Sequence, residues 1–252
     1  MKLVRQEIAA LRAAFMFFTR IPMTSDVQFD PAHLQRAAAW FPLVGWIVGA
    51  VAASVWWTAG LLWSPQVASG LSLAVTLLLT GAFHEDGFAD VCDGLGGGYT
   101  KERSLEIMRD SRVGAFGAIG VAVMLGLKWQ AVAGLTPEIG AAALIAGHAL
   151  SRAASVSLLA VLPYVREDSG KAKPLATQLN GSRWAWALAC GLAPLTLMPL
   201  SATLSLAVVM ALWLCLATWF KRRIGGYTGD CLGTAQQVTE LGFYLAIGAL
   251  FR

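Results

Sequence analysis

Residues 70–98 read GLSLAVTLLLTGAFHEDGFADVCDGLGGG. An uncharged, mostly apolar run ends at Phe83, and Glu85, Asp86, Asp90 and Asp93 follow at once. A run of that kind, repeated along the chain, reads as a membrane helix. Asp86, Asp90 and Asp93 are spaced i, i+4, i+7 and share one face of a helix. Bare carboxylates so placed repel each other unless a cation lies between them, and an oxygen-ligated divalent metal is the natural candidate. The stretch reads as a metal site at the membrane edge, built to hold a phosphate-bearing substrate. A charged loop capping two helix ends is the plain alternative, and the run of Gly94, Gly96, Gly97 and Gly98 argues against it. Backbone without Cβ can approach a ligand closely, and consecutive amides can cradle an anion.

The whole chain supports the membrane reading. Of 252 residues, 57% are hydrophobic and 13% charged, against about 25% charged in a soluble domain. Mean hydropathy is +0.62. The expectation is an all-α, polytopic helical bundle forming one domain over 1–252. About seven spans are predicted, at roughly 38–63, 66–83, 113–135, 139–162, 184–200, 202–220 and 234–251. An N-terminal amphipathic helix, with Leu3, Ile8, Leu11, Phe15 and Phe18 at helical spacing, lies in the interface. Asp30–Pro31 reads as a helix start. Cys92, Cys190, Cys215 and Cys231 are scattered, with no pattern for structural zinc.

Charge gives the orientation. With the N-terminus inside, segments 1–37, 84–112, 163–183 and 221–233 hold nearly all the Lys and Arg, and most of the acidic residues too. Positive charge marks the cytoplasmic side, so the chemistry is expected on the cytoplasmic face of the inner membrane. The net charge of +4 is membrane topology, not a nucleic-acid surface.

Three further constellations stand out. Arg109 and Arg112, a turn apart in Lys101–Arg112, suit phosphate oxygens, with Asp110 beside them. Lys221-Arg222-Arg223-Ile224-Gly225-Gly226-Tyr227-Thr228-Gly229-Asp230 joins a basic anchor to a glycine-rich turn and a carboxylate. Glu240 follows inside an apolar helix, where a carboxylate is costly. His148 and Arg152 are i, i+4 on the fourth span; a structural polar pair and a substrate contact are both open to them. Lys128 lies within a span.

At residues 84–117, His-Glu-Asp-Gly-Phe-Ala-Asp-Val-Cys-Asp-Gly-Leu through Glu-Ile-Met-Arg-Asp-Ser-Arg-Val-Gly-Ala-Phe-Gly resembles the signature of the cobalamin synthase family, the adenosylcobinamide-GDP ribazoletransferases. Phe17-Phe18-Thr19-Arg20-Ile21-Pro22 is similar to that family's opening. Gly225–Gly233 with Glu240 resembles its C-terminal motif. The resemblance covers nearly the whole chain. Glu85 departs from it, standing where an apolar residue is common, and Cys92 and Cys231 occupy variable positions.

The resemblance implies the joining of adenosylcobinamide-GDP to α-ribazole or its 5′-phosphate, with release of GMP, by a Mg²⁺-dependent enzyme of the cytoplasmic membrane. Its partners would be small corrinoid and nucleotide-like substrates and the lipid bilayer, with room for a homo-oligomer. Asp86, Asp90 and Asp93 would hold Mg²⁺, Asp86 also acting in catalysis. Asp110 or Asp230 would complete the shell or take the proton. Arg112 would act on the reacting phosphate, and Arg109, Arg152, Gly96, Gly97, Gly226 and Glu240 would contact substrate. Two other classes stay in view. A CDP-alcohol phosphatidyltransferase would share Asp90-Val-Cys-Asp93-Gly94, but Gly97 and Gly98 stand where Ala-Arg should follow and the distal acidic motif is missing. A transporter would use His148, Arg152 and Glu240 as its pathway; the one-sided charge speaks against it.

Overall fold

The computed structural model describes residues 2–22, 36–166 and 179–251. The expected start at Asp30–Pro31 lies outside them. Among the described residues the fold is all-α, with one isolated parallel bridge between Tyr164 and Tyr227. The helices are α1 (Lys2–Phe18), α2 (Phe41–Gly60, after a 3₁₀ turn at Ala38–Trp40), α3 (Pro65–Thr80), α4 (Phe83–Gly97) and α5 (Lys101–Ile107). They continue with α6 (Ala115–Ala133), α7 (Pro137–Val161), α8 (Gly181–Leu192), α9 (Ser205–Ile224) and α10 (Gly229–Leu250).

Local chemistry sets the helix starts. Ser64 and Thr136 accept from the amides of Val67 and Ile139, each followed by proline in the first turn. Thr100, Asn180 and Thr228 cap α5, α8 and α10 in the same way. Gly225, at φ +83°, ends α9 in the left-handed region.

Among the described residues, four helices are long and apolar enough to cross a bilayer: Ala38–Gly60, Ala115–Ala133, Pro137–Val161 and Leu200–Ile224. The pair α3–α4, bent by 90°, brings the number to five when counted as one span. This differs from the seven expected. The segment 184–200 breaks up: α8 has 12 residues, about 18 Å of helix, and gives way to 3₁₀ turns around Pro194 and Pro199. At 22 residues α10 is long enough, but it carries Asp230, Gln236, Gln237 and Glu240. It is buried by its neighbours, not bathed in lipid.

The bundle centres on α2, α7 and α10. Gly45 and Gly49 of α2 lie against the backbone of His148 and Ile145, and Gly147 of α7 lies against the Tyr244 ring; a Cβ at any of them would fall within 2.6 Å of those atoms. The rim helices α6 and α9 present Ile119, Val123, Leu127, Met210 and Leu214 outward, the arrangement a lipid environment requires. Helix α1 is amphipathic as expected. It buries Ala10, Ala13, Ala14 and Phe18 and leaves Val4 and Ile8 exposed. Phe18 packs edge-on against Phe41 and Phe83 and stacks on His84.

The corner between α3 and α4 positions the acids. Gly81 (φ +65°) and Ala82 (φ +53°) both adopt left-handed backbone, a conformation that costs about 1 kcal/mol or more at alanine. Arg20 covers the turn: its amide donates to the Leu79 carbonyl at 2.8 Å, and its guanidinium fills the space a Cβ on Gly81 would need. Beyond this bend α4 carries Glu85, Asp86, Asp90 and Asp93.

Candidate active site at the crossing of α4 and α10

The two motif segments meet. Gly87 of α4 and Gly233 of α10 let the helices cross closely: an added Cβ would lie 3.0 Å from the Asp230 Cα and 3.0 Å from the His84 carbonyl oxygen, respectively. Arg223, at the end of α9, donates to the carbonyls of Leu95 (3.0 Å) and Gly98 (2.7 Å). It thereby caps the C-terminus of α4, where a cation is favoured. The basic anchor, the glycine turn and the acidic helix form one assembly.

At the crossing, Asp86 is exposed, Asp90 half-buried and Asp230 mostly buried. Burial, then the charges of Asp230 and Asp86, push the Asp90 carboxyl up to about 7, while Arg166 opposes them. Burial also raises Asp230, against the pull of Arg166. These three acids therefore share one field. Asp93 has a different setting. Its Oδ2 accepts from the Gly114 amide at 2.7 Å and its Oδ1 from the Gly117 amide at 2.9 Å, so it caps the N-terminus of α6. The glycines of Val113-Gly-Ala-Phe-Gly117 make room for it, since a Cβ on either would fall within 2.5 Å of an Asp93 oxygen.

Other expected site residues are placed differently. Helix α5 stops at Ile107, so Arg109 and Arg112 do not share a helical face. Arg112 turns to Asp110, its Nη2 at 2.7 Å from Oδ2, and its side chain is 88% exposed. Those hydrogen bonds hold the Asp110 carboxyl down at about 2. Gly96 and Gly97 belong to the last turn of α4 and are not an anion nest: the helix continues through them, and the Gly98 amide is spent on the Gly94 carbonyl. Gly96 instead seats the Phe116 ring. Gly226 packs on the Pro163 carbonyl, where a Cβ would lie 2.0 Å away.

Glu240 lies in the interior. Its Oε1 is 3.0 Å from Lys128 Nζ, its Oε2 is 3.3 Å from His148 Nδ1, and Gln236 also donates to it. Lys128 donates to Gln237 at 2.8 Å, and Gln237 donates on to Glu85 at 2.8 Å. Arg152 donates to the His148 carbonyl at 2.9 Å, which makes the expected i, i+4 polar pair. Most of these buried polar atoms are tolerable because they have partners; Arg152 Nε, Glu85 Oε2 and the neighbouring Tyr244 hydroxyl have none. The network ties α6, α7 and α10 together and reaches α4 through Glu85, next to Asp86.

Two residues of the site escaped the sequence reading. Arg166 donates through Nη2 to Asp230 at 2.6 Å and to the Met108 carbonyl at 3.1 Å. Tyr164 lies within electrostatic reach of Arg166, Asp230 and Arg109. In the sequence Arg166 reads as one of the basic residues of segment 163–183, and nothing there marks Tyr164.

Among the described residues no three His, Cys, Asp or Glu side chains converge closely enough to hold a metal on their own. Magnesium does not need that: it is commonly bound by one or two carboxylates, with water and substrate phosphates completing the shell. Asp86 and Asp90, with Asp230 facing them, are a fitting hard-oxygen set.

An adenosylcobinamide-GDP ribazoletransferase of Ralstonia pickettii is 52% identical over 246 residues, 96% of this chain and 95% of the relative. One from Leptothrix cholodnii is 48% identical over 92% of each chain, and one from Shewanella frigidimarina 42% identical over 94% of this chain and 93% of the relative. No solved structure matches. The family described as cobalamin-5-phosphate synthase matches residues 10–248, nearly the full length, with both halves of the crossing inside it, and the chain belongs to that family.

Proposed function

We propose that this chain joins adenosylcobinamide-GDP to α-ribazole, or to α-ribazole 5′-phosphate, and releases GMP. The acceptor hydroxyl forms a bond to the phosphorus on the cobinamide side. The bond to the bridging oxygen breaks, and GMP departs with that oxygen. The hydroxyl proton passes to a carboxylate. Such transfers need positioning and charge stabilisation above all.

The observation that carries the reading is the crowding of Asp86, Asp90 and Asp230, drawn from two family motifs, around Arg166. Burial first, then the charges of Asp230 and Asp86, push the Asp90 carboxyl up to about 7, and a divalent cation would relieve the part that is charge repulsion. Mg²⁺, when bound, would neutralise phosphate oxygens there. Asp86 and Asp90 would hold it. Asp230, kept in place by Arg166 and the Gly87 crossing, is suited to accept the proton or orient a metal-bound water. We place the enzyme in the cytoplasmic membrane with this site on the cytoplasmic face, a reading supported by the Lys and Arg distribution.

The experiment is GMP release and corrinoid product formation by the purified, reconstituted chain, with Mg²⁺ and with EDTA. The reading expects turnover that EDTA abolishes. Absence of GMP release with both acceptors overturns the activity; full rates in EDTA overturn the metal.

A further inference from the structure

The short segment after α7 has no role assigned to it. Pro163–Arg166 runs alongside Tyr227: the Tyr227 amide donates to the Pro163 carbonyl at 2.9 Å, and the Val165 amide to the Tyr227 carbonyl at 3.1 Å. In extended backbone, alternate side chains point to opposite sides. Val165 packs towards Gly226, which leaves Tyr164 and Arg166 on the other side.

That side is the active site. The Arg166 side chain is 16% exposed, and its Nη2 is committed to Asp230 and Met108. Its Nε is buried with no hydrogen-bond partner, and so is the Tyr164 hydroxyl. Tyr164 packs edge-on against Tyr227, ring centroids 5.5 Å apart, so its ring is fixed and the hydroxyl is aimed. An unmet buried donor is costly, more so on a charged group. Arg152 Nε and the Tyr244 hydroxyl are unmet as well, but they lie within the interior network. Here two donors on one side of one segment stay unmet, beside the acidic crossing.

We infer that Tyr164 and Arg166 are the phosphate clamp of this enzyme: the Tyr164 hydroxyl and the Arg166 Nε donate to the diphosphate oxygens of the donor substrate. The inference rests on the proposed transfer reaction and deepens it. A planar, always charged guanidinium suits phosphate oxygens. In the unliganded protein, the Asp230 pair keeps the guanidinium oriented. With diphosphate present, Nε and the hydroxyl gain the acceptors they lack, and Arg166 offsets charge on the departing GMP. Arg166 is then a catalytic residue, the part expected of Arg112 from the sequence.

The test uses the full chain in detergent with three variants: Tyr164→Phe, Arg166→Lys and Arg166→Gln. Inorganic pyrophosphate is the probe, read both as a competitor of the corrinoid substrate and by direct calorimetric binding. Tyr164→Phe should weaken pyrophosphate about 5- to 10-fold and raise KM for the corrinoid alike, with the acceptor KM and the melting temperature unchanged. Arg166→Lys should weaken it about 10-fold. Arg166→Gln should lower kcat about 100-fold or more. Wild-type pyrophosphate affinity in folded Tyr164→Phe and Arg166→Lys overturns the clamp, as does a change confined to the acceptor KM. If the wild-type protein releases no GMP, the reaction fails, yet calorimetry still decides the clamp: pyrophosphate binding lost in Arg166→Gln sustains it, and no binding to wild type ends it.

Discussion

Gly87 and Asp230 are in backbone contact: a Cβ on Gly87 would lie 3.0 Å from the Asp230 Cα. Gly87→Ala should therefore push α10 from α4 and move the Asp230 carboxylate by a few tenths of an ångström. Gly87→Val should move it further. Activity should fall about 10-fold in the first and about 100-fold in the second, since misplacement near 1 Å has that cost, while yield in the membrane stays the same. Equal activity in wild type and Gly87→Val would show that the crossing does not position Asp230.

Asp90 makes the site sensitive to pH. Its folded value of about 7 lies above the ordinary 3.8, so the folded chain keeps a proton that the unfolded chain gives up. Stability from this group is complete below about 4, falls as pH rises towards 7 and is flat above. Without divalent metal, Asp90→Asn should raise the melting temperature at pH 8 by a few degrees, and the gain should vanish near pH 4. The same variant should abolish turnover. A melting gain that is equal at both pH values removes the electrostatic account.

Asp93 should behave unlike its neighbours. It caps α6 through the Gly114 and Gly117 amides, so Asp93→Ala should cost about 1–2 kcal/mol of stability, with Asp86→Ala costing almost none. Thermal unfolding of the two proteins side by side checks this. If Asp93→Ala melts with wild type, the cap contributes nothing.

Glu240 is a matter of stability more than chemistry. Glu240→Gln leaves Lys128, with its side chain 4% exposed, charged and poorly paired, at a cost of about 3–5 kcal/mol. The double variant Lys128→Met/Glu240→Gln should recover much of that, whereas Asp230→Ala should stay folded and inactive. Asp230→Ala retaining more activity than Glu240→Gln would reverse these assignments.

Segments 84–112 and 221–233 should be reached from the same side of the membrane. Tyr99, 98% exposed, and Arg222, also exposed, are suitable for single cysteines in a chain freed of its own four. Impermeant thiol reagents should modify both from the cytoplasmic side alone. Modification from opposite sides is incompatible with the contact of Arg223 with Leu95 and Gly98.

Much of this was legible in the residues. The apolar runs gave the all-α membrane fold, and the spacing of Asp86 and Asp90 put them on one face. The glycine-rich turn before Asp230 stood out in the sequence, and in the fold its Gly226 packs on the Pro163 carbonyl. What failed depended on tertiary partners. Hydropathy cannot register that α10 carries polar residues because α6 and α7 complement them; the proline interruption of 184–200, by contrast, is visible in the sequence. Helical periodicity paired Arg109 with Arg112, but α5 ends first and Asp110 captures Arg112. Arg166 was indistinguishable from topological charge until a strand-like contact with Tyr227 carried it to Asp230.

The buried network of Lys128, Arg152 and Glu240 also bears on how the molecule is made. A lysine or arginine at the centre of a helix costs about 2.5–3.5 kcal/mol to insert alone. Helices α6 and α7 leave the ribosome carrying Lys128 and Arg152 without their counter-charge, which arrives on α10, the last of the described helices. Glu240 therefore brings the neutralising charge last: a chain cut short before α10 would leave Lys128 without the carboxylate it pairs with at 3.0 Å.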